Sequence, residues 1–264
     1  MNKYTKKQFK IALIFIAILI VIIGGIWLLT KSGSTTCFDQ IQNQGETGID
    51  CGGPCGPCAE DIRDPLIVVS NQIIPTTDNY FDLVLEIKNS NSDWGVESVT
   101  YVINFLDSNN ELISSKDGKT YILPEQNRYI VEQKLSVDNL IKVNIELKDI
   151  EWIKLKDFKE IDLKIKNSGY NLTNGIKLFG TVNNNSSFDL DKIEIVGLLF
   201  KNNNLVSAGQ TNIRTVVMQE NRYFEINWPT NIEFDSFELK PYTNMFLNSN
   251  FIKTHGTVER FKEY

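Results

Sequence analysis

Short runs of alternating apolar and polar residues fill the chain from residue 65 onward. Examples are FDLVLEI (81–87) and VTYVINF (99–105), and turn-forming segments such as KNSNSD (88–93) and DSNNE (107–111) lie between them. Alternation with a period of two indicates strands that bury one face, and turns at this spacing are typical of β-sandwiches. No long amphipathic helical stretch competes with this pattern. The sequence therefore predicts an all-β region of many short strands.

The second half of this region repeats the first. Residues 86–113 align with residues 180–206, and Asn89 matches Asn183 at a spacing of 94. Downstream, EQNRYI meets QENRYF at the same spacing, and IELK echoes FELK. A period near 94 residues fits one immunoglobulin-like sandwich per repeat, because such domains run about 100 residues. The repeat predicts two tandem immunoglobulin-like β-sandwiches.

An uncharged apolar segment precedes this region. It runs for 19 residues from Ile11 to Leu29, and as a helix it would be about 28 Å long, close to the hydrocarbon thickness of a bilayer. A cleaved signal peptide would need small residues before the cut, and a buried core helix would be shorter and carry polar residues. We therefore predict an uncleaved single-pass transmembrane helix.

Charge sets the orientation of that helix. Four lysines precede it, Lys3, Lys6, Lys7 and Lys10, and only Lys31 follows closely. The positive-inside rule puts the N-terminus in the cytoplasm and the bulk of the chain outside. The first 36 residues hold five lysines and no acid, so the remainder carries 22 basic and 33 acidic groups, a net charge of −11. An ectodomain this acidic repels phosphate backbones, which argues against nucleic acid as a partner.

These features divide the chain into six parts. We predict a basic cytoplasmic N-terminus (1–10), a transmembrane helix (11–30) and an extracytoplasmic cysteine-rich stalk (31–64). Two β-sandwiches (65–151 and 152–246) and a C-terminal tail (247–264) follow.

All four cysteines, Cys37, Cys51, Cys55 and Cys58, lie in one 22-residue segment. Thiols oxidise outside the cytoplasm, so two disulfides are expected. The spacing allows three pairings that the sequence cannot separate. The interlaced pairing, Cys37–Cys55 with Cys51–Cys58, is favoured because it avoids a C-x-x-C bridge, which is common among reducible catalytic disulfides. A thioredoxin-type site would need a βαβ domain that the chain lacks, and uneven spacing argues against zinc.

Four oxygen-bearing side chains lie between these cysteines: Asp39, Asn43, Glu46 and Asp50. Gly45 and Gly48 disfavour a helix here, so a tight loop is expected. Hard oxygen ligands in a flexible loop suit calcium, and extracellular calcium sites have Kd values on the order of 10⁻⁴ to 10⁻³ M. The alternative is that these side chains cap turns in a small disulfide-bonded loop. The sequence leaves both interpretations open, with calcium as the candidate cofactor.

The same segment resembles a short motif of many bacterial and archaeal surface proteins, C-x-D-G-x-x-N-x-x-E-T-x-x-D-C-G-G-x-C. The matching positions are Asp39, Asn43, Glu46, Thr47, Asp50, Cys51, Gly52, Gly53 and Cys55. Gln40 stands where the motif usually has glycine. The resemblance implies a cell-surface location and no reaction.

Each repeat is similar to the FxLYD-type domain, a small immunoglobulin-like sandwich of exported bacterial and archaeal proteins. The first copy carries the pattern at IKNS (87–90) and VINFLD (102–107), and the second at VNNN (182–185) and VGLLFK (196–201). Lys201 replaces the aspartate in the second copy. The whole chain resembles a family of membrane-anchored surface proteins from bacteria and archaea with very small genomes, and this resemblance implies no activity.

Two further features are candidates for surface chemistry. Three N-glycosylation sequons begin at Asn171, Asn184 and Asn185. The tripeptide NRY occurs at 127–129 and 221–223, where we interpret it as support for the fold, with the tyrosine hydroxyl closing a strand corner. The aromatic residues Trp94, Trp152, Phe188 and Trp228 are interpreted as core or inter-domain packing.

Recognised catalytic motifs do not occur in the sequence. His255 is the only histidine, and there is neither a G-x-S-x-G elbow nor a phosphate-binding glycine loop. We predict a non-catalytic, membrane-anchored binding or scaffolding protein with a protein or glycan partner outside the cell. The alternatives are an accessory subunit of an envelope secretion or pilus machine and an envelope hydrolase, whose paired carboxylates follow no spacing rule.

Overall fold

The computed structural model describes residue 14 and residues 16–23, 37–58, 62–76, 79–159 and 161–255. The predicted cytoplasmic N-terminus, most of the predicted membrane helix and the end of the predicted tail lie outside these residues. Residues 16–23 are helical, and the large apolar side chains of residues 14–23 that are described are 51–73% exposed. No helix in the described part of the chain is long and apolar enough to cross a membrane.

Six strands form the first half of the β-rich region: β1 (Ile67–Pro75), β2 (Phe81–Lys88), β3 (Trp94–Leu106), β4 (Leu112–Ile122), β5 (Asn127–Leu135) and β6 (Lys142–Lys154). They make two antiparallel three-stranded sheets, ordered β1-β2-β5 and β4-β3-β6. Alternate side chains of the sheets, including Leu83, Leu85 and Ile103, are fully buried in one cluster between them. The predicted β-sandwich packing is confirmed here. The boundary expected at residue 151 falls inside β6.

Six more strands form the second half: β7 (Leu163–Asn171), β8 (Ile176–Asn184), β9 (Leu190–Lys201), β10 (Asn204–Val216), β11 (Asn221–Trp228) and β12 (Ser236–Tyr242). The sheet orders, β7-β8-β11 and β10-β9-β12, reproduce the first half strand for strand. The internal repeat is therefore present in the topology. Trp228 packs in this core, and its Nε1 donates to Ser207 Oγ at 2.9 Å.

The two halves pack against each other through the outer faces of two sheets. Ile74, Val84 and Val131 of the first half share a buried cluster with Val196 and Leu198 of the second. Successive strand residues point to opposite faces, so β2 and β9 bury apolar side chains on both sides. The two halves belong to one compact unit, which begins at Arg63.

A C-terminal segment completes the second core. A 3₁₀ turn (Met245–Leu247) leads into a short helix (Ser249–His255), and Phe251 on this helix is fully buried. The Phe251 ring packs edge-to-face against Phe188, with ring centroids 5.5 Å apart. The described part of the predicted tail is thus a structural element, because burial of one phenylalanine holds it on the sandwich.

A fully buried asparagine stands at the end of the second strand in each half. Asn89 donates from Nδ2 to the carbonyl oxygens of Trp94 at 2.7 Å and Leu123 at 3.1 Å. Asn184 donates from Nδ2 to the carbonyl oxygen of Phe188 at 2.8 Å and to two further carbonyls. These side chains satisfy backbone groups where the chain leaves the sheet, which a buried turn requires.

The predicted match of Asn89 with Asn183 is therefore wrong by one residue. Asn127 pairs with Lys88 in the first half, and Asn221 pairs with Asn183 in the second. Asn183 thus occupies the place of Lys88. From the buried asparagine to the aromatic residue whose carbonyl oxygen it binds, the connection from β8 to β9 is one residue shorter than the connection from β2 to β3. The spacing between equivalent residues therefore returns to 94 in β3 and β9.

The match of IELK in β6 with FELK in β12 is wrong by two residues. Phe105 pairs with Val143 across β3 and β6, and Leu199 pairs with Phe237 across β9 and β12. Because Phe105 and Leu199 are equivalent, Phe237 occupies the place of Val143. The similarity of IELK and FELK arises from the alternation of apolar and polar residues that all these strands share.

Candidate functional site

The four cysteines form two disulfides in residues 37–58, which we call the disulfide knuckle. Cys37 is bonded to Cys55, and Cys51 is bonded to Cys58. No cysteine is free. This is the interlaced pairing. The bridges close loops with sequence separations of 18 and 7 residues, which removes conformational freedom from a segment too short to bury a core of its own.

The carboxylates of the knuckle accept hydrogen bonds from its backbone. Asp50 Oδ1 accepts from Asp39 N at 2.8 Å, and Asp50 Oδ2 accepts from Gln40 N at 2.9 Å. Glu46 Oε2 accepts from the backbone N–H groups of Asn43 at 3.2 Å and Asp50 at 3.3 Å. Asn43 Nδ2 donates to Asp39 Oδ2 at 3.0 Å. The four predicted side chains therefore lie in one hydrogen-bonded loop.

These bonds are of the kind that turn capping requires. Within the described residues, the one compact group of metal-type ligand atoms is Cys37, Glu46 and Cys55, whose ligand atoms lie within 4.8 Å of one another. The two sulfur atoms of this group are bonded to each other. Asp39 and Asp50 do not join Glu46 at that distance. Capping accounts for the carboxylates of Asp39, Glu46 and Asp50, whereas Asn43 Oδ1 is buried without a hydrogen-bond partner among the described residues. Calcium binding stays a prediction that a titration tests.

Left-handed backbone conformations shape the knuckle. Gly53 has a φ of 54°, and a Cβ there would lie 2.3 Å from the carbonyl oxygen of Gly45. Gln40 also has a positive φ of 62°, a conformation that costs a residue with a Cβ about 1–2 kcal/mol and glycine little. The positive φ of Gln40 thus gives a physical reason why the motif usually has glycine at this position.

Arg128, of the first NRY copy, is buried at the contact between the two halves. Its guanidinium carbon lies 4.2 Å from the ring centroid of Tyr121 and 4.8 Å from that of Tyr242. Its Nε donates to Thr120 Oγ1 at 2.7 Å, and its Nη2 lies 3.3 Å from both carboxylate oxygens of Glu194. A cation between two aromatic faces and beside a carboxylate ties β5 to β9 and β12.

The Tyr242 hydroxyl extends this contact to the backbone. It accepts a hydrogen bond from Tyr129 N at 3.1 Å and donates to the carbonyl oxygen of Asn127 at 3.2 Å. Burial raises the pKa of Tyr242 above its ordinary value and raises the pKa of Tyr121 to about 12. Both phenols therefore stay protonated at physiological pH. We call Arg128, Glu194, Tyr121 and Tyr242 the Arg128 cluster.

The second NRY copy has different contacts. Arg222 Nη2 donates to the backbone carbonyl oxygens of Arg214 at 3.2 Å and Thr215 at 3.0 Å. Tyr223 is 59% exposed, and its hydroxyl donates to Glu225 Oε1 at 2.7 Å. The prediction that this tyrosine hydroxyl closes a strand corner is wrong. In the first copy the hydroxyl that reaches the backbone belongs to Tyr242, on another strand.

A groove of about 190 Å³ adjoins the Arg128 cluster. Tyr121, Tyr242 and Glu194 line it together with Asp191 and Met245. Its walls come from β4, from the beginning of β9 and from the segment after β12. The groove combines aromatic surface with the charged side chains of Asp191, Lys192 and Glu194, of which Glu194 is paired with Arg128, a lining that fits a polar group of a partner. Sequence reasoning missed it, because these elements are far apart along the chain.

The predicted aromatic packing residues divide into two groups. Trp228 and Phe188 belong to the second core. Trp152 packs against the first core, and the rings of Trp94 and Trp152 both contact Arg63, whose guanidinium carbon is 4.9 Å from the ring centroid of Trp94 and 5.4 Å from that of Trp152. These contacts fix the beginning of the β-rich unit to its first sandwich.

The structure separates the three sequons. Asn184 is fully buried, and its Nδ2 donates three hydrogen bonds to backbone carbonyls. A glycan on that nitrogen is incompatible with this fold, so the prediction of Asn184 as a glycosylation candidate is wrong. Asn171 and Asn185 are exposed.

No protein-family model and no curated protein matches the chain. Among solved structures, red sea bream transglutaminase is similar, with 13% sequence identity and a TM-score of 0.23. The match covers 66% of this chain and 29% of the transglutaminase chain. A likeness this weak carries no argument about fold or function.

Proposed function

We propose that this chain is a non-catalytic binding or scaffolding protein held at the cell surface. Residues 11–30 anchor it in the membrane with the N-terminus in the cytoplasm. The disulfide knuckle forms a stalk, and two immunoglobulin-like sandwiches present surfaces to a protein or glycan partner outside. The observation that carries the proposal is the complete pairing of four cysteines in the knuckle, because such disulfides persist in oxidising compartments.

The apolar segment before the knuckle supports the anchor. The described residues of the helix at 16–23 are all apolar, and their large side chains are more than half exposed. A helix that is apolar on every side is stable when lipid or protein surrounds it. The lysines on its N-terminal side support the orientation.

The contact between the two halves supports a scaffolding role. Domains joined by a linker move relative to each other unless a large apolar interface holds them. Here an apolar cluster that includes Val84 and Leu198 is buried between the halves, and Arg128 contacts Glu194 beside it. A partner therefore meets two sandwiches in a fixed arrangement, with the groove at the Arg128 cluster as its candidate contact.

An accessory subunit of a secretion or pilus machine is the second candidate. The sheets β1-β2-β5 and β4-β3-β6 correspond in order to strands A-B-E and C′-C-F of an immunoglobulin-like sandwich, and the described residues contain no counterpart of the last strand G. Among the described strands, β6 pairs only with β3, and β12 pairs only with β9. An open strand edge where strand G would lie favours docking by strand addition from a neighbouring subunit.

Crosslinking followed by isolation of the full chain from native membranes tests these candidates. Crosslinks from the groove, for example at Lys192, to one external protein or glycan would support the binding protein. A stoichiometric complex crosslinked through Lys142 or Lys154 of β6 would support the accessory subunit instead. Absence of any partner at both positions would contradict both.

A further inference from the structure

We infer that Asn171 is an N-glycosylation site, which carries an oligosaccharide on the turn between β7 and β8. This inference rests on the proposed surface location. Asn171 is the last residue of β7 and pairs with Lys177 of β8. It is exposed, as is Leu172, the next residue. The turn therefore projects from the second sandwich into solvent.

The sequon at Asn171 is folded as a hydrogen-bonded turn. Asn171 Oδ1 accepts from the backbone N–H of Thr173 at 2.8 Å and from the Thr173 hydroxyl at 2.6 Å. These two bonds use the carbonyl side of the carboxamide. In the described part of the chain, Asn171 Nδ2 makes no hydrogen bond, so the nitrogen that would receive the sugar is unengaged and exposed.

The other two sequons lack this combination. Ser186 Oγ donates to Asn184 Oδ1 at 2.6 Å, which is the same turn, but Asn184 is fully buried and its Nδ2 is engaged. Asn185 is exposed, yet its Nδ2 donates to Asp162 Oδ2 at 2.5 Å. Of the three sequons, only that of Asn171 has an exposed asparagine, an Nδ2 without a hydrogen bond among the described residues, and a hydroxyl group, that of Thr173, that donates to the side-chain carbonyl oxygen.

The transfer needs a lipid-pyrophosphate-linked oligosaccharide as donor and a host oligosaccharyltransferase. Asn171 Nδ2 forms a bond to the anomeric carbon of the first sugar and loses one proton. The bond from that carbon to the phosphate oxygen breaks, and the lipid pyrophosphate leaves with the electron pair. The product is an amide-linked glycan in a turn with room for it.

Peptide mass spectrometry of the full chain isolated from its own membranes tests this inference. The peptide containing Asn171 should carry a sugar mass, and peptides containing Asn184 and Asn185 should be unmodified. Asn171→Gln and Thr173→Ala should abolish the modification and the accompanying gel shift. Thr173→Ser, which keeps a hydroxyl, should retain it, and Asn185→Gln is the matched control without effect.

Surface labelling of the same preparation separates the two ideas. An unmodified Asn171 in a chain whose sandwich lysines react from outside would overturn the inference and leave the proposed location standing. An unmodified Asn171 in a chain whose sandwich lysines are protected would overturn both. A glycan confined to Asn185 would also contradict the inference.

Discussion

Arg128 Nη2 lies 3.3 Å from both carboxylate oxygens of Glu194, and the two residues belong to different halves of the internal repeat. The Arg128 side chain is 6% exposed and that of Glu194 is 19% exposed. In a charge pair this buried, each residue depends on the other, because removal of either charge would leave the remaining one buried and unpaired.

Replacement of Arg128 by alanine should therefore destabilise the β-rich unit strongly. It removes the cation from between Tyr121 and Tyr242 and leaves Glu194 unpaired, and we expect the free energy of unfolding to fall by about 3–5 kcal/mol. Urea denaturation of the compact unit from Arg63 onward measures this change.

Arg222→Ala is the matched control, because Arg222 occupies the same position in the second NRY copy. The side chains of Arg222 and its partner Glu220 are 43% and 30% exposed, and the two hydrogen bonds from Arg222 to the carbonyl oxygens of Arg214 and Thr215 are exposed as well. Their loss should therefore cost less than the loss of Arg128, about 1–2 kcal/mol. Equal losses of stability in the two variants would contradict the role assigned to the Arg128 cluster.

Asn184→Ala should destabilise the second half more than Asn183→Ala. Asn184 satisfies three backbone carbonyls from a fully buried position, and each buried group left unsatisfied costs about 1–3 kcal/mol. Asn183 makes only long contacts, at 3.4 Å to the carbonyl oxygen of Glu220 and 3.5 Å to Lys166 Nζ. The midpoint of thermal unfolding compares the stability of the two variants. A larger loss of stability in Asn183→Ala would favour the sequence-based match of Asn89 with Asn183.

Asp50→Ala should loosen the knuckle in the presence or absence of calcium. The Asp50 carboxylate accepts from the backbone N–H groups of Asp39 and Gln40, so its removal should speed hydrogen exchange at those two amides. In the native chain, calcium in the millimolar range should leave the exchange rates at both amides unchanged. Protection by calcium that Asp50→Ala abolishes would favour the metal site over capping.

Alkylation of the native protein without reductant should label none of the four cysteines. Peptide mapping should find bridges between Cys37 and Cys55 and between Cys51 and Cys58. A labelled thiol would contradict complete pairing. A bridge between Cys55 and Cys58 would contradict the interlaced arrangement.

The strand pattern and the repeat could be predicted from sequence because alternation records which face of a strand is buried. The residues that pack one half on the other were not predicted. The sequence does contain a sign of this contact in β2 and β9. Val84 and Leu198 are apolar at positions where strict alternation would place a polar residue, so both faces of these strands are apolar. A single sequence does not say which sheets supply the two sides of such a contact.

The equivalence of individual positions was harder to predict. VNNNSS places three asparagines in succession, and only the buried turn distinguishes Asn184 from its neighbours. The role of Arg128 was also hidden, because its partners Glu194 and Tyr242 come from distant strands. The C-terminal helix has only seven residues, too few for helical periodicity to reveal it, although Asn248 caps Phe251 N at 3.0 Å.

Surface labelling of intact cells is the most direct test of the central claim, that the sandwiches lie outside a membrane anchor. Lys88, Lys119 and Lys134 are exposed on the first sandwich, and Lys3 and Lys10 precede the predicted anchor. A membrane-impermeant amine reagent, added after any outer wall is opened, should modify the three sandwich lysines and leave the N-terminal lysines unmodified until the cells are lysed. Modification of Lys3 and Lys10 with protection of the sandwich lysines would contradict the account.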